Sequence, residues 1–273
     1  MKSLLRQRDY SREWVKDFYT QARIWWGDDR QARGTDEERV RLVERVCGSG
    51  PKRILDLGAG PGRTVAALAD QGHSVVDIEL NPTDAQYARE LLKTPRGGAT
   101  SFIEADFYTA DVRGPFDVVT CWQAFGIGSD ADQRRLLRRI SHEWLTPDGD
   151  ALMDVYNPYG PARDNGKEVR LNPLPGVPGS VEMIERCYYD PVQGRWTDEW
   201  EPTAHPENAL AQTVRCYTPA DLLLLLEGTG LVLKHVEVAG EGVDVSANSR
   251  IVCENWFTSD YKYLVQLCRD RTK

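Results

Sequence analysis

The stretch Ile54-Leu55-Asp56-Leu57-Gly58-Ala59-Gly60-Pro61-Gly62 runs from a short apolar strand straight into a turn in which glycines alternate with other residues. Glycines spaced in this way let the chain turn sharply and lie close against a ligand, because no Cβ stands in the way. The following residues read as a helix, whose first N–H groups lack intrahelical partners and face the same turn. A strand, glycine turn and helix in this order commit the chain to an α/β layout, with a flat, polar, nucleoside-like ligand expected across the turn.

Strand and helix patterns then alternate: strand over 53–57, helix over 64–71, strand over 74–80, helix over 83–92, strands over 100–104 and 116–121, helix over 130–144, strand over 151–156. Alternation of this kind predicts a parallel sheet. Upstream, Trp14, Val15, Phe18, Tyr19, Ala22 and Trp25 recur at helical spacing, and a second helix is expected over 36–46. Residues 1–50 are therefore expected to form a helical cap on a ligand-binding core of residues 51–156.

The rhythm breaks over 157–216, which holds Pro158, Pro161, Pro173, Pro175, Pro178, Pro191, Pro202 and Pro206 of the chain's 15 prolines. Three extended runs, 181–189, 195–202 and 210–217, alternate there with turn formers, so an antiparallel three-stranded flap over the sheet's carboxyl edge is predicted. Regular structure resumes at Thr218-Pro219-Ala220-Asp221, a capping hydroxyl, a proline and a first-turn carboxylate that open a helix. Strands over 231–238 and 261–268 follow without an intervening helix, which makes a terminal hairpin. Residues 217–273 thus complete the core sheet, for seven strands in all.

The net charge of −8 argues against binding nucleic acid, since phosphate neutralisation needs a basic face. The cluster Arg134, Arg135, Arg138 and Arg139 flanks an apolar helix stripe and reads as a solvated face. No apolar run approaches the roughly 18 residues of a membrane span, and a cytoplasmic protein acting on a small molecule is expected. Cys47, Cys121, Cys187, Cys216, Cys253 and Cys268 stand singly, with no CxxC spacing, so free thiols and no metal are expected.

Two more acidic positions complete the site. Glu79 ends the second strand 21 residues after Gly58, where a carboxylate can accept both hydroxyls of a ribose. Asp77, two residues earlier, shares its face of the strand, and Glu79 is preferred because it stands at the strand tip. Glu104-Ala105-Asp106-Phe107 closes the third strand with an acid that can accept an adenine amino group and a ring that can pack on the base. Together, Asp56 to Gly62, Glu79 and Asp106 resemble the signature of class I S-adenosylmethionine-dependent methyltransferases. The terminal hairpin resembles the antiparallel last strand of that Rossmann-like fold. The spacing G-x-G-x-G differs from the dinucleotide fingerprint G-x-G-x-x-G, which disfavours a nicotinamide cofactor.

The resemblance implies that S-adenosylmethionine lies on Asp56, Gly58, Gly60, Gly62, Glu79, Leu80, Asp106 and Phe107, with Cys121 and Trp122 at the end of the fourth strand. The stretch from Asp17 to Gly27 is similar in layout to small-molecule members such as glycine N-methyltransferase, which implies that Tyr19, Trp25 and Arg33 hold the methionine end; Arg39 competes with Arg33 for its carboxylate. Gln123, Phe125, Tyr156 and Asn157, at the carboxyl ends of the fourth and fifth strands, are expected to wall an acceptor pocket. From the flap, Trp196, Trp200, Glu185 and Glu199 can add aromatic and acidic groups suited to an amine or aromatic acceptor.

Methyl transfer depends chiefly on alignment, and a base is needed only where the acceptor loses a proton early. His205, in a flap turn, and Tyr156 are the candidate catalytic residues, while His73, His142 and His235 read as structural. Transfer of a methyl group to nitrogen, oxygen or carbon of a small molecule is the leading expectation. A nicotinamide-dependent oxidoreductase and a non-catalytic S-adenosylmethionine-binding protein are the alternatives.

Overall fold

A computed structural model describes residues 11–26, 33–245, 255–258 and 261–271. Two helices lead the chain, α1 (Trp14–Trp26) and α2 (Arg33–Cys47). Then β1 (Arg53–Leu57), α3 (Arg63–Asp70), β2 (Ser74–Glu79), α4 (Pro82–Leu91), β3 (Thr100–Glu104), β4 (Phe116–Cys121), α5 (Asp130–Arg139) and β5 (Leu145–Tyr156) follow. After β5 come α6 (Tyr159–Arg163), β6 (Glu168–Leu171), β7 (Met183–Asp190), β8 (Arg195–Pro202) and β9 (Leu210–Arg215). The chain closes with α7 (Pro219–Leu226), β10 (Leu231–Val238), β11 (Glu241–Val243), α8 (Asn255–Thr258) and β12 (Lys262–Arg269).

The main sheet has eight strands in the order β11-β10-β12-β5-β4-β1-β2-β3. Strands β1 to β5 pair in parallel, and β12 runs antiparallel between β5 and β10. The extra strand relative to the seven expected is β11, three residues folded back on the end of β10. So short a return leaves too little alternation to be seen in sequence.

Successive residues of β1 face opposite ways and fill two apolar layers. Leu55 joins Val119, Leu136, Leu137, Leu222 and Leu225 on the side of α5 and α7. Ile54 joins Val43, Val65, Leu68, Val118 and Leu152 on the side of α2 and α3. Each fully buried aliphatic side chain contributes about 1.5–3 kcal/mol, so these two layers fix the sheet on which the site is built.

Between α5 and β5 the last turn widens to a π-type turn, Ile140–Trp144, which buries Trp144 and lets its Nε1 donate to the Val112 carbonyl at 3.1 Å. Pro147-Asp148-Gly149 lies within the strand element β5, which begins at Leu145 and not at the expected 151, and its pairing with β4 shifts register between Phe116 and Val118. The insertion folds as a separate antiparallel sheet, β6-β7-β8-β9, with β6 as a fourth strand beyond the three expected. It is tied to the core where the Arg215 N–H donates to Gly126 at 2.9 Å and the Tyr217 N–H donates to Tyr156 at 2.8 Å.

Candidate active site

The glycine turn is held from below by the end of β2. Gly58 N–H donates to the Ile78 carbonyl at 2.8 Å, and Gly58, Gly60 and Gly62 take positive φ values of 71°, 58° and 75°. A Cβ on Gly60 would meet nothing within 4 Å, so its missing side chain leaves the cleft open there; a Cβ on Gly58 would meet that of Ala124 at 3.3 Å. Gly62 caps the start of α3 instead, tucked against Ala88 behind the cleft.

Glu79 is more than a ligand acceptor. Its Oε2 accepts the Gly60 N–H at 2.8 Å and its Oε1 accepts the Asn81 N–H at 2.7 Å, so one carboxylate ties the turn to the start of α4. Burial raises its pKa, opposed by the backbone donors at Asn81, Gly60 and Leu80. The two oxygens offer about four acceptor sites in all, so capacity is left for a ligand hydroxyl.

Asp56, wholly buried at the floor, accepts the Thr120 hydroxyl on Oδ1 at 2.7 Å, while Oδ2 receives no hydrogen bond from a described residue. Burial pushes its pKa up to about 6, against the pull of Thr120.

The third acid brings a partner from far away in sequence. Arg12 Nη1 pairs with Asp106 Oδ2 at 2.5 Å, and the guanidinium lies 4.2 Å from the centroid of the Tyr108 ring. Asp106 Oδ1 accepts the Tyr108 N–H at 2.8 Å, which turns Phe107 toward the cleft with its ring 4.6 Å from that of Tyr108.

Helix α1 forms the roof. Tyr19 lines the cleft and donates its hydroxyl to Gln212 Oε1 of the flap at 3.2 Å. Its pKa is raised by burial, then by the charges of Glu79 and Asp198. Arg23 pairs with Asp84, another lining residue. On the far wall Arg39 donates to Thr64 Oγ1 at 2.9 Å and sits 5.3 Å from the centroid of the Trp122 ring, whose own Nε1 has no partner among the described residues. The free space between these walls, counted to the mouth, is about 980 Å³.

Residues 54–149 match the family model described as methyltransferase domain. Those residues resemble a methyltransferase domain. The ubiquinone biosynthesis O-methyltransferase of Pseudomonas aeruginosa (strain LESB58) is 26% identical over 148 residues, which cover 52% of this chain and 62% of that protein. Among solved structures, the CcbJ methyltransferase from Streptomyces caelestis superposes with a TM-score of 0.70 at 19% identity, covering 90% of this chain and 99% of the other. An amino pentose methyltransferase from Micromonospora echinaspora, involved in calicheamicin biosynthesis, gives 0.59 at 19% identity over 93% and 97%. The matched part thus spans less than two thirds of the curated relative, whereas the fold is shared along nearly the whole chain.

The cleft brings together Tyr19, Asp56, Gly58, Gly60, Glu79, Leu80, Asp106, Phe107, Trp122 and Gln123 of the predicted residues, with Arg39. Gln123 sits there in a left-handed conformation, φ 60°. The structure sets several others elsewhere. Trp25 packs with Phe18, Ala22, Met183 and Trp200 between α1 and the flap, because it lies six positions along the helix from the cleft-lining Tyr19, about 240° around the axis. Cys121 and Phe125 are core residues, since strand alternation turns Cys121 inward and Phe125 fills the space beside Tyr217. Asn157 is fully buried and accepts the Tyr159 and Gly160 N–H groups at 2.9 and 3.1 Å, capping α6.

Tyr156 lies buried against Trp196, rings 5.3 Å apart, and not on the cleft wall. His205 is exposed on a turn beside Glu207, 3.2 Å away, and does not line the cleft. The side chain of Arg33 lies outside the described residues. The residues that sequence reasoning missed are Arg12, Val15, Asp84, Tyr108, Ala124 and Ile127. Tyr108 had a usable signal, an aromatic beside Phe107 after the third strand; Arg12 had none, because its contact spans 94 positions.

The wall of this cleft suits S-adenosylmethionine. An open glycine cradle, a carboxylate with spare acceptors, an aromatic pair and the unsatisfied Asp56 Oδ2 and Trp122 Nε1 offer a nucleoside and a charged tail what each needs. Among the described residues no cluster of His, Cys, Asp or Glu is placed to hold a metal ion, and no helix is long and apolar enough to cross a membrane.

Proposed function

We propose that this protein transfers a methyl group from S-adenosylmethionine to an amine of a small molecule. The carrying observation is the single cleft in which the glycine turn, Glu79, Asp106-Phe107 and Tyr19 meet at the carboxyl edge of β1, β2 and β3. In this reading Glu79 takes the ribose hydroxyls, Asp106 and Phe107 the adenine, and Arg39 and Asp56 the methionine carboxylate and ammonium. S-adenosylmethionine supplies an electrophilic methyl group, so the protein's work is alignment and exclusion of water. Tyr19 and Trp122 close the cleft over the reacting atoms, and the flap of residues 157–216 covers the acceptor.

The flap supports an amine in particular. Its inward face, by register, carries Glu185, Trp196, Asp198, Trp200 and Gln212. Asp198 is buried, and its Oδ2 accepts from Trp200 Nε1 at 2.8 Å and Gln212 Nε2 at 3.0 Å. Burial raises its pKa, opposed by the Gln212, Trp200 and Glu185 side chains that hydrogen-bond it. A carboxyl pair ringed by tryptophan can hold an ammonium group and take its proton, which frees the nitrogen lone pair. Glu199, by contrast, faces outward and is held by Arg186 at 2.9 Å. The overlap of folds with an amino pentose methyltransferase extends through the flap and supports the same reading. The free cysteines among the described residues fit a cytoplasmic setting.

Calorimetry with S-adenosylmethionine and with NAD tests the cofactor, and tight binding of NAD alone would overturn the assignment. Transfer of labelled methyl to a panel of amino sugars, matched with their hydroxyl counterparts, tests the acceptor. Label on the hydroxyl compounds only would remove the amine, and cofactor binding without transfer to any acceptor would favour a binding protein.

A further inference from the structure

Asp56 and Asp77 stand side by side. They are direct partners in the parallel register of β1 and β2, so their side chains leave the same face of the sheet. Neither is exposed to solvent at all (0% each). Of their four oxygens, only Asp56 Oδ1 receives a hydrogen bond from a described residue; Asp56 Oδ2 and both oxygens of Asp77 receive none. Asp56 lines the cleft, while Asp77 lies behind it under the glycine turn, where a Cβ on Gly62 would come 3.6 Å from its Oδ2.

The charged groups around the pair do not neutralise it directly. Glu79 on β2 is bonded to the Gly60 and Asn81 amides. From α2, Arg39 and Asp36 are joined through Thr64, which donates to Asp36 at 2.6 Å and accepts from Arg39. From α4, Asp84 is paired with Arg23 of α1, and Arg89 with Glu104 of β3. Arg63, half-buried, opens α3. Two neighbouring carboxyl groups in so dry a place keep a proton between them unless a cation arrives. Burial raises the pKa of both, reinforced at Asp77 by Asp56 and Glu79 and opposed at Asp56 by the Thr120 hydroxyl and Arg39, which agrees with that geometry.

We propose that Asp56 and Asp77 form a proton-holding carboxyl pair whose charge lets the cleft distinguish the sulfonium cofactor from the uncharged thioether left after methyl transfer. The proposal rests on the methyltransferase reading above. S-adenosylmethionine and S-adenosylhomocysteine share their nucleoside, ammonium and carboxylate and differ by one positive charge. The ammonium reaches Asp56 in both ligands; the sulfonium adds a second positive charge in one of them only and favours loss of the shared proton further. Above the titration of the pair, the negative floor holds the sulfonium more firmly than the thioether, so product leaves more readily.

Calorimetry of both ligands in phosphate and in Tris, whose ionisation enthalpies differ, reads the protons released on binding. S-adenosylmethionine is expected to release more than S-adenosylhomocysteine, and the ratio of their Kd values to shift about tenfold in favour of the sulfonium between about pH 5.5 and 8. In Asp77→Asn both differences should vanish while binding remains measurable. Equal proton release by the two ligands in the wild type, or an unchanged difference in Asp77→Asn, overturns the pair. Should the variant not fold, infrared difference spectra of the wild type decide: the protonated carboxyl stretch should fall further with the sulfonium than with the thioether, and the same response to both sinks the proposal. If neither ligand binds the wild type, the methyltransferase reading falls and this proposal with it; if both bind with equal proton release, only the pair falls.

Discussion

The cleft floor and the flap bury acidic groups in opposite ways. On the floor, Asp56 and Asp77 lie beneath a glycine turn with three oxygens lacking a hydrogen bond, and Glu79 spends its bonds on backbone amides. In the flap, Asp198 is satisfied by side chains from two strands, and on the outer face Arg186 gathers Glu168, Glu199 and Glu201 within 2.9 Å. The floor thus keeps unspent bonding capacity for something that enters, while the flap is a finished structure with one inward acid pair. Buried polar groups cost about 1–3 kcal/mol when unpaired, so the floor gives up stability that the flap keeps.

The largest effect is expected at the turn. Gly58→Val places a branched side chain at φ 71° and drives its Cβ within 3.3 Å of Ala124 Cβ, a combination of strain and overlap worth about 2–4 kcal/mol. A thermal melt should show the loss of stability, and calorimetry should show S-adenosylmethionine binding abolished. A variant that binds normally would mean the cradle is not where the ligand lies.

Glu79→Ala comes next and sharpens the contrast, because it removes two charge-assisted backbone bonds together with the ribose acceptor. Each is worth roughly 1.5–3 kcal/mol, so the cofactor Kd should rise at least tenfold and the melting temperature should fall with it. A rise in Kd at constant melting temperature would assign Glu79 to the ligand alone.

The same contrast explains what could be foreseen from sequence. The floor is assembled from neighbours: Asp56 to Gly62 are contiguous, and Glu79 is one crossover away, so spacing and alternation carry the information. The roof is assembled from residues far apart. Tyr19 meets Gln212 across 193 positions and Arg12 meets Asp106 across 94, and no local pattern encodes either. Strand ends were hard for another reason. Trp122 and Gln123 reach the cleft while Cys121 and Phe125 on either side turn into the core, and the left-handed Gln123 that sets this outcome has no signature of its own. Arg139 illustrates the same limit. A solvated face was expected, yet its guanidinium donates to the Phe107 and Ala110 carbonyls at 2.9 and 2.6 Å and steadies the cleft wall.

Smaller, and opposite in sign, is the effect of Asp77→Asn on stability. Burial, then Asp56 and Glu79, raise the Asp77 pKa in the folded chain, so the native state binds more protons than the unfolded one above about pH 4. The favourable contribution of the protonated acid is complete below the unfolded value and is lost as pH rises through the folded one. Asparagine keeps the shape without the charge. The variant should therefore melt a few degrees higher than the wild type at neutral pH, with the gap closing toward pH 4. A lower melting temperature at pH 7 would show that the carboxylate is compensated.

In the flap, Asp198→Asn should leave the cofactor Kd within about twofold and lower kcat/KM for an amine acceptor by about tenfold, the scale of one charged hydrogen bond. The Trp200 and Gln212 donors keep an oxygen to bond, so the fold survives. A parallel loss of cofactor affinity would mean that the network from Asp198 through Gln212 to Tyr19 serves the cleft and not the acceptor.

His205→Ala should do least. The imidazole is exposed, its ring pairs with Glu207 at 3.2 Å on the same turn, and neither lines the cleft. An exposed pair of this kind is screened by water and salt, so its removal leaves stability unchanged. Activity should stay within about twofold, and the pH profile of kcat/KM should keep its shape, because a histidine base would impose a limb near its ordinary value of about 6.5. The comparison that decides is with Asp198→Asn. If the acidic limb of the profile moves with Asp198 and ignores His205, the proton of the acceptor passes to the buried carboxyl pair; if the limb disappears with His205, the flap must fold its outer turn onto the acceptor and the inward face is only packing.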